Sequence, residues 1–187
     1  MKKGTIILIA VVVVVALAAM WGIGGYNSLV SARESVDNQL AAIDTQLQRR
    51  NDLIPNIVNT VKGYTNHESE VLGAVSDARA RLAGATTTQE TAQADSELTS
   101  AVSRLLMIAE NYPELKADTQ FTALTDELAG TENRIAVARK DYNDVAKTYN
   151  TMIKTFPKVI FASMFGFEKA DYFEAAAGAE NVPQVSF

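Results

Sequence analysis

Residues 26–64 read YNSLVSARESVDNQLAAIDTQLQRRNDLIPNIVNTVKGY, and this stretch determines the architecture. Its apolar residues recur at alternating steps of three and four, which is the spacing of one buried stripe on a long α-helix. The stripe continues for about five heptads on a helix of roughly 55 Å, with Arg33 and Arg50 in its two gaps. Its members are Tyr26, Leu29, Val30, Val36, Leu40, Ile43, Leu47, Ile54, Ile57, Val61 and Tyr64.

A charge-free apolar run, residues 5–23, precedes this helix and follows Lys2 and Lys3. A run of about 19 residues just spans a hydrocarbon core, and Trp21 and Tyr26 lie where an aromatic belt would fall. Residues 1–25 are therefore predicted to be a transmembrane signal anchor with a cytoplasmic N-terminus. The alternative is a signal peptide cleaved after residues 16–18 (ALA), but the apolar run continues past that point.

Three further helices are predicted after the first one. The second opens at Thr65, which has capping-box spacing to Glu68, and the third opens at Thr87, which has the same spacing to Glu90. The fourth is as regular as the first and stops before Pro157; its stripe is Phe121, Leu124, Leu128, Thr131, Ile135, Ala138, Tyr142, Val145, Tyr149, Met152 and Phe156. The predicted fold is all-α: a transmembrane helix followed by an elongated, antiparallel, up-and-down four-helix bundle in residues 26–157.

Pro55 lies inside the first helix, where a proline removes one backbone hydrogen bond. Because the apolar stripe continues through it, the sequence predicts a bend in the helix and not an end.

The matched stripes predict that the first and fourth helices pair antiparallel, with paired residue numbers adding to about 182. Arg50 should then meet Glu132, and Asp44 should meet Arg139. A charge in the buried stripe needs a partner at the same level, so we expect these pairs to determine the register. A double mutant that exchanges the charges at positions 50 and 132 should recover part of the stability that each single charge reversal loses.

The C-terminal tail, residues 158–187, begins with apolar and aromatic residues and is too short there to span a bilayer. We expect it to fold back over the bundle or the membrane interface, with Phe161, Phe165 and Phe167 as the main contacts. The alternative is a disordered tail.

Composition excludes several function classes. The net charge is −5 with no basic patch, so nucleic acid is not an expected partner. The chain has no cysteine, and its one histidine, His67, lacks the second histidine that a helical zinc site needs one turn later. A helix-start role for Glu68 explains the His67–Glu68 pair more simply. We expect no metal, no cofactor and no small-molecule substrate.

Two short motifs are candidate interaction surfaces. Arg49 and Asp52 could form an anion site, although a structural role beside Arg50 explains them better. The Tyr-Asn pairs that end in Asn143 and Asn150 stand one heptad apart, and they suit either core packing with a polar edge or a peptide-binding groove.

The chain resembles the LemA family over nearly its whole length. The matching strings, in order, are YNSLV (26–30), ID (43–44), LQRRNDLIPN (47–56), GY (63–64), HE (67–68), ENYPELK (110–116), ENRIA (132–136), AR (138–139), DYN (141–143), YN (149–150) and the tail that ends in Phe187. The resemblance implies a membrane-anchored helical bundle of bacterial type, with no established enzymatic activity.

These observations favour a non-enzymatic scaffold or adaptor of the bacterial cell envelope, single-pass in the cytoplasmic membrane with its bundle outside the cytoplasm. Its partners would be the bilayer, other envelope proteins and copies of itself. The alternative is a peptide- or lipid-binding module that uses a groove between helices. A hydrolase is the weakest hypothesis, because no nucleophile, base and orienting group can be assembled.

Overall fold

The structure is a computed structural model, and it describes residues 3–64 and 68–174. Within those ranges there are six helices and no strand. The helices are α1 (Lys3–Tyr64), α2 (Ser69–Gly84), α3 (Thr88–Ala109), α4 (Pro113–Ala117), α5 (Thr119–Met152) and α6 (Lys158–Phe165). The all-α class is confirmed, and α1 runs through Pro55 without interruption, as the continuous apolar stripe predicts.

The chain divides into two compact units. The first unit contains residues 3–39 and 144–170, and the second contains residues 40–143 together with 171–174. The first unit therefore holds the candidate membrane segment, the end of α5 and all of α6. The second holds the remainder of α1, helices α2 to α4 and most of α5.

The second unit has one continuous apolar core to which five helices contribute. Its fully or nearly buried members are Ile54, Ile57, Val58, Val61, Val75, Ala78, Leu98, Ala101, Val102, Leu105, Ala109, Leu115, Phe121 and Leu128. Those that belong to the stripes predicted on the first and fourth helices are Ile54, Ile57, Val61, Phe121 and Leu128. Contacts from α1 to α5 in this unit join Arg50 with Glu132 and Tyr64 with Asp118, and both pairs add to the predicted 182.

In the first unit, Leu29 and Val36 of α1 and Ala146 and Tyr149 of α5 are buried, as is Ile153 just after α5. Arg33 was expected in the buried stripe, but it is exposed, forms a salt bridge with Asp37 at 3.0 Å and places its guanidinium 5.9 Å from the Tyr149 ring centre. A long arginine side chain at the edge of a stripe can keep its charge in water in this way.

Two helix boundaries differ from the sequence prediction. Helix α2 begins at Ser69, so Glu68 is its N-cap and not the third residue of a capping box; Thr65 and His67 lie outside the described residues. Helix α5 ends at Met152 and not at Phe156. Its last turn tightens, with the Lys154 N–H donating to the Thr151 carbonyl at 3.1 Å, because a residue before proline avoids the helical conformation.

The segment 110–118 holds a short helix, α4, where the sequence pattern predicts only a break. Pro113 stands in its first turn, where a missing N–H is not needed, and Leu115 is fully buried in the core.

The capping box at Thr87 is confirmed. The Glu90 N–H donates to Thr87 Oγ1 at 3.2 Å, and the Thr87 N–H donates to Glu90 Oε2 at 3.1 Å. We expect Thr87→Ala to lower the free energy of unfolding by about 1 kcal/mol, measured by chemical unfolding, whereas Thr88→Ala should change it little. Equal losses in both variants would contradict this assignment.

Candidate functional site

A buried charge cluster lies in the second unit around Arg50 of α1, whose side chain is completely inaccessible to solvent. Its Nη1 donates to the carboxylate of Asp95 on α3. Its Nη2 lies 2.9 Å from Thr99 Oγ1 and 2.6 Å from Glu132 Oε1 on α5. One guanidinium therefore ties together three helices, and its planar fork of donors suits that geometry better than a lysine would.

A second arginine completes the cluster. Arg139 of α5 donates from Nη2 to the other carboxylate oxygen of Asp95 at 2.7 Å, and its guanidinium stands 5.2 Å from the ring centre of Phe173. The cluster is electrically neutral, because it has two cations, Arg50 and Arg139, and two anions, Asp95 and Glu132. Neutrality matters here because each buried ion costs several kcal/mol of lost hydration, which only close pairing offsets.

The cluster is not fully satisfied. The Nε atoms of Arg50 and Arg139 are buried without a hydrogen-bond partner in the described part of the chain. A partly satisfied charge network contributes little net stability compared with an apolar core of the same shape. We therefore expect its physical role to be the selection of one register of the helices, because a purely apolar stripe leaves the helices freer to slip.

Partial burial raises the pKa of the Glu132 carboxyl, and the nearby Asp95 charge adds to the rise, while Arg50 and Arg139 oppose it. The folded state then holds this proton more tightly than the unfolded state does. The stability that Glu132 contributes is present at low pH and is lost as the pH rises from its ordinary pKa of 4.5 through the raised value.

Glu132→Gln should remove this pH dependence. We expect the free energy of unfolding of the variant to increase relative to that of the wild type as the pH rises from about 4 to 7, because only the wild type loses stability over that range. Chemical unfolding of both proteins at several pH values measures it. If the difference in unfolding free energy between the variant and the wild type stays constant, or decreases as the pH rises, then the pKa of Glu132 is not raised.

The predicted pair of Asp44 with Arg139 is wrong. Arg139 binds Asp95, and in the described part of the chain Asp44 makes no salt bridge; its partial burial raises the pKa of its carboxyl. The prediction compared only the first and fourth helices, and α3 supplies the acid instead. Asp95 stands three residues before Leu98 on the buried face of α3, so its position in that stripe was the signal that sequence reasoning missed.

Arg49 and Asp52 make exposed contacts. Arg49 Nη2 lies 2.8 Å from Glu127 Oε1, which also accepts from Arg134, and Asp52 Oδ1 accepts from Gln48 Nε2 at 2.8 Å. The two residues thus make separate surface contacts, each with its own partner.

The Tyr-Asn pairs bind the backbone of the C-terminal segment. In the second unit, Asn143 Nδ2 donates to the Phe173 carbonyl and the Phe173 N–H donates to Asn143 Oδ1, both at 2.9 Å. The Tyr142 hydroxyl donates to the Asp171 carbonyl at 2.8 Å. The side-chain amide of Asn143 therefore pairs with a backbone amide as a neighbouring β-strand would.

The first unit repeats this arrangement. Asn150, which is buried, donates from Nδ2 to the Ala170 carbonyl and accepts the Ala170 N–H at Oδ1, both at 2.8 Å. The Tyr149 hydroxyl donates to the Glu168 carbonyl at 2.8 Å.

The family can be assigned from the sequence match. The model of the LemA family matches residues 39–187, which is well over half of the chain and includes every residue of the charge cluster and both Tyr-Asn pairs. The chain belongs to the LemA family. The match begins after the candidate membrane segment.

Several relatives of this LemA-family chain are named. Magnetosome protein MamQ 2 of Paramagnetospirillum magneticum is 27% identical over 175 residues, covering 80% of this chain and 64% of the relative. Magnetosome protein MamQ of Magnetospirillum gryphiswaldense is 26% identical, covering 82% and 66%. Protein LemA of Metamycoplasma hominis is 25% identical, covering 72% and 62%. The matched part is thus less than two thirds of each relative's own length.

In the first unit of this LemA-family chain, three phenylalanines of the tail contact α1, whereas residues 175–187 lie outside the described part of the chain. The Phe161 ring centre lies 5.3 Å from that of Trp21, and the rings of Phe165 and Phe167 lie 4.8 and 5.8 Å from Tyr26. Phe156, which the sequence places in the buried stripe, is instead 77% exposed because α5 ends before it.

No group of metal-ligating side chains occurs within residues 3–64 and 68–174. The depressions on the described surface are open and are lined by small, amide and charged side chains, as in the one formed by Asn27, Ser31, Glu34 and Asn38 on α1. In this part of the LemA-family chain we find no arrangement of nucleophile, base and orienting group.

Proposed function

We propose that this chain is a non-enzymatic scaffold or adaptor that α1 holds at a membrane, and that it acts by binding other envelope proteins or copies of itself. One observation carries the proposal. The start of α1 is long and apolar enough to cross a membrane, with a mean hydropathy of 3.0 and none of it buried, and the same helix continues into residues that form an apolar core. An exposed apolar surface of that extent is typical of a segment that lies in lipid.

The proposed location is the bacterial cytoplasmic membrane, crossed once, with the N-terminus in the cytoplasm. Lys2 and Lys3 support this orientation through the positive-inside rule. Because the chain has no cysteine, a single introduced cysteine reports its side of the membrane without ambiguity. In intact cells, a membrane-impermeant maleimide should label Ser103→Cys and leave Gly4→Cys unlabelled; the reverse pattern would invert the topology.

The scaffold role is tested by photo-crosslinking in cells. A benzophenone amino acid at exposed Asn38, in the first unit, or at exposed Ser103, in the second, should give discrete protein adducts that mass spectrometry assigns to a partner or to a second copy. The matched control at Leu8, in the apolar run, should give lipid adducts. Absence of protein adducts at 38 and 103, together with a monomeric mass in detergent, would refute the scaffold role.

A second candidate is a module that binds an extended peptide, and the bonds of Asn143 and Asn150 to backbone amides favour it. Asn143 already binds the backbone of Phe173, and Asn150 that of Ala170, so a foreign peptide would have to replace these contacts. A protein truncated after Phe165 should bind a labelled peptide of residues 166–174 (GFEKADYFE) in fluorescence anisotropy, and Asn150→Leu should weaken that binding. No binding to a truncated protein that remains folded would exclude the groove.

A further inference from the structure

Helix α6 is attached to the end of the apolar run of α1. Its Phe161 ring packs against the edge of Trp21, and it lies so close to Gly25 that a Cβ there would stand 3.0 Å from the ring. Gly22 faces the same ring, at 3.6 Å from a Cβ built on it. Two glycines on one face of α1 thus leave the space that Phe161 fills. This contact places α6 at the level of Trp21, where the charge-free run ends.

The outward side of α6 is apolar. It exposes large side chains at Val159, Ile160, Met164 and Phe165, and no charged residue occurs between Lys158 and Phe165. Met164 is 68% exposed and Phe165 is 55% exposed. Large apolar side chains that are exposed together on one short helix are typical of an interaction surface. Lys154 and Lys158 stand at its N-terminal end, and the Lys158 ammonium donates to Ser28 Oγ of α1 at 2.7 Å.

We propose that α6 lies in the plane of the membrane surface and is a second lipid contact of this chain. Three observations select lipid as the occupant. The apolar side of α6 adjoins, through Trp21, a segment of α1 that is itself exposed and apolar along its length. Tryptophan at the end of such a segment occupies the headgroup level. The lysines at the start of α6 suit anionic headgroups.

The consequence is that the first unit is held to the membrane at two points. A helix of eight residues is too short to span a bilayer, so α6 would bury its apolar side by about 5–10 Å at the boundary of headgroups and acyl chains. A chain held by α1 alone could rotate about the axis of that helix. With α6 also bound at the membrane surface, this rotation of the first unit is prevented. The side of the first unit that faces away from α6 and the lipid then stays available to protein partners.

The test uses the full-length protein in nanodiscs of phosphatidylcholine and phosphatidylglycerol, with one environment-sensitive fluorophore on an introduced cysteine. Met164→Cys is the probe of α6, and Met107→Cys on α3 is the matched control, because these methionines are 68% and 65% exposed. Val12→Cys reports the membrane segment. This inference rests on the membrane attachment proposed above, and the label at position 12 tests that attachment separately.

We expect the fluorophore at 164 to shift to the blue and to be quenched more strongly by lipids with a nitroxide at acyl carbon 5 than at carbon 12. The label at 12 should be quenched, and the label at 107 should not be quenched. Quenching at 12 with none at 164 overturns the α6 proposal and leaves the anchor intact. No quenching at 12 overturns both proposals. If the label at 164 is not quenched and the unlabelled Met164→Cys protein forms a disulfide between copies under an added oxidant, the surface belongs to a second copy and the proposal is also overturned.

Discussion

Arg50→Met is expected to lower the free energy of unfolding by about 3–5 kcal/mol. The change removes the one guanidinium that contacts Asp95, Thr99 and Glu132 at once. It leaves Asp95, which is only 3% exposed, with a single cation, Arg139. Chemical unfolding of the full-length protein in detergent measures the loss.

Arg49→Met is the matched control. Arg49 is the adjacent residue, its side chain is 58% exposed, and it loses only one surface salt bridge, with Glu127. Its expected cost is about 0–1 kcal/mol. If the variants at 49 and 50 unfold alike, then the buried cluster does not have the energetic role assigned to it.

The structure also changes the outcome expected for a charge swap between Arg50 and Glu132. A glutamate at position 50 would face the buried carboxylate of Asp95, so the swapped double mutant should recover little of the loss. Arg50→Met combined with Asp95→Leu removes both buried charges of that contact. It should be less destabilised than the sum of the two single variants, which a double-mutant cycle measures.

Asn150→Leu is expected to lower the free energy of unfolding by about 2–4 kcal/mol. Leucine has the same number and branching of side-chain heavy atoms, but it leaves both the N–H and the carbonyl of buried Ala170 without their partner. Each such unsatisfied group costs about 1–3 kcal/mol. Hydrogen exchange followed by mass spectrometry should show faster exchange in peptides that cover residues 166–174.

The control on the same helix is Asn133→Leu, which alters an exposed asparagine and should change the free energy of unfolding by no more than about 0.5 kcal/mol. If Asn150→Leu leaves both the stability and the exchange of residues 166–174 unchanged, then the asparagine does not hold this segment.

Periodicity alone predicted most of the buried residues. Leu29, Val36, Ile43, Leu47 and Ile57 all lie in the stripe of α1, and all are buried. Periodicity succeeds here because the helical repeat determines which side chains share one face of a helix. That set of side chains does not depend on which element covers the face. The same repeat identified Arg50 as a buried charge, and the antiparallel register identified Glu132 as a partner.

Other features do not follow from the repeats of two helices. Asp95 reaches Arg139 from α3, and the placement of a third helix depends on packing that no pairwise register describes. The two Tyr-Asn pairs bind backbone groups of residues 168–173, and because every residue type carries these groups, the hydrogen bonds leave no pattern in the sequence of that segment. The complete up-and-down arrangement of four helices therefore stays a proposal, supported by the antiparallel contacts within each unit.

Residues 1–25 are expected to remain attached and to hold the chain in a membrane. Membranes from expressing cells are washed with high salt, and the protein that stays is purified for intact mass and N-terminal sequencing. If the anchor is retained, the protein stays with the membranes and begins at Met1 or Lys2. A protein that leaves with the wash and begins at Ala19 or Met20 would show a cleaved signal peptide and contradict this claim.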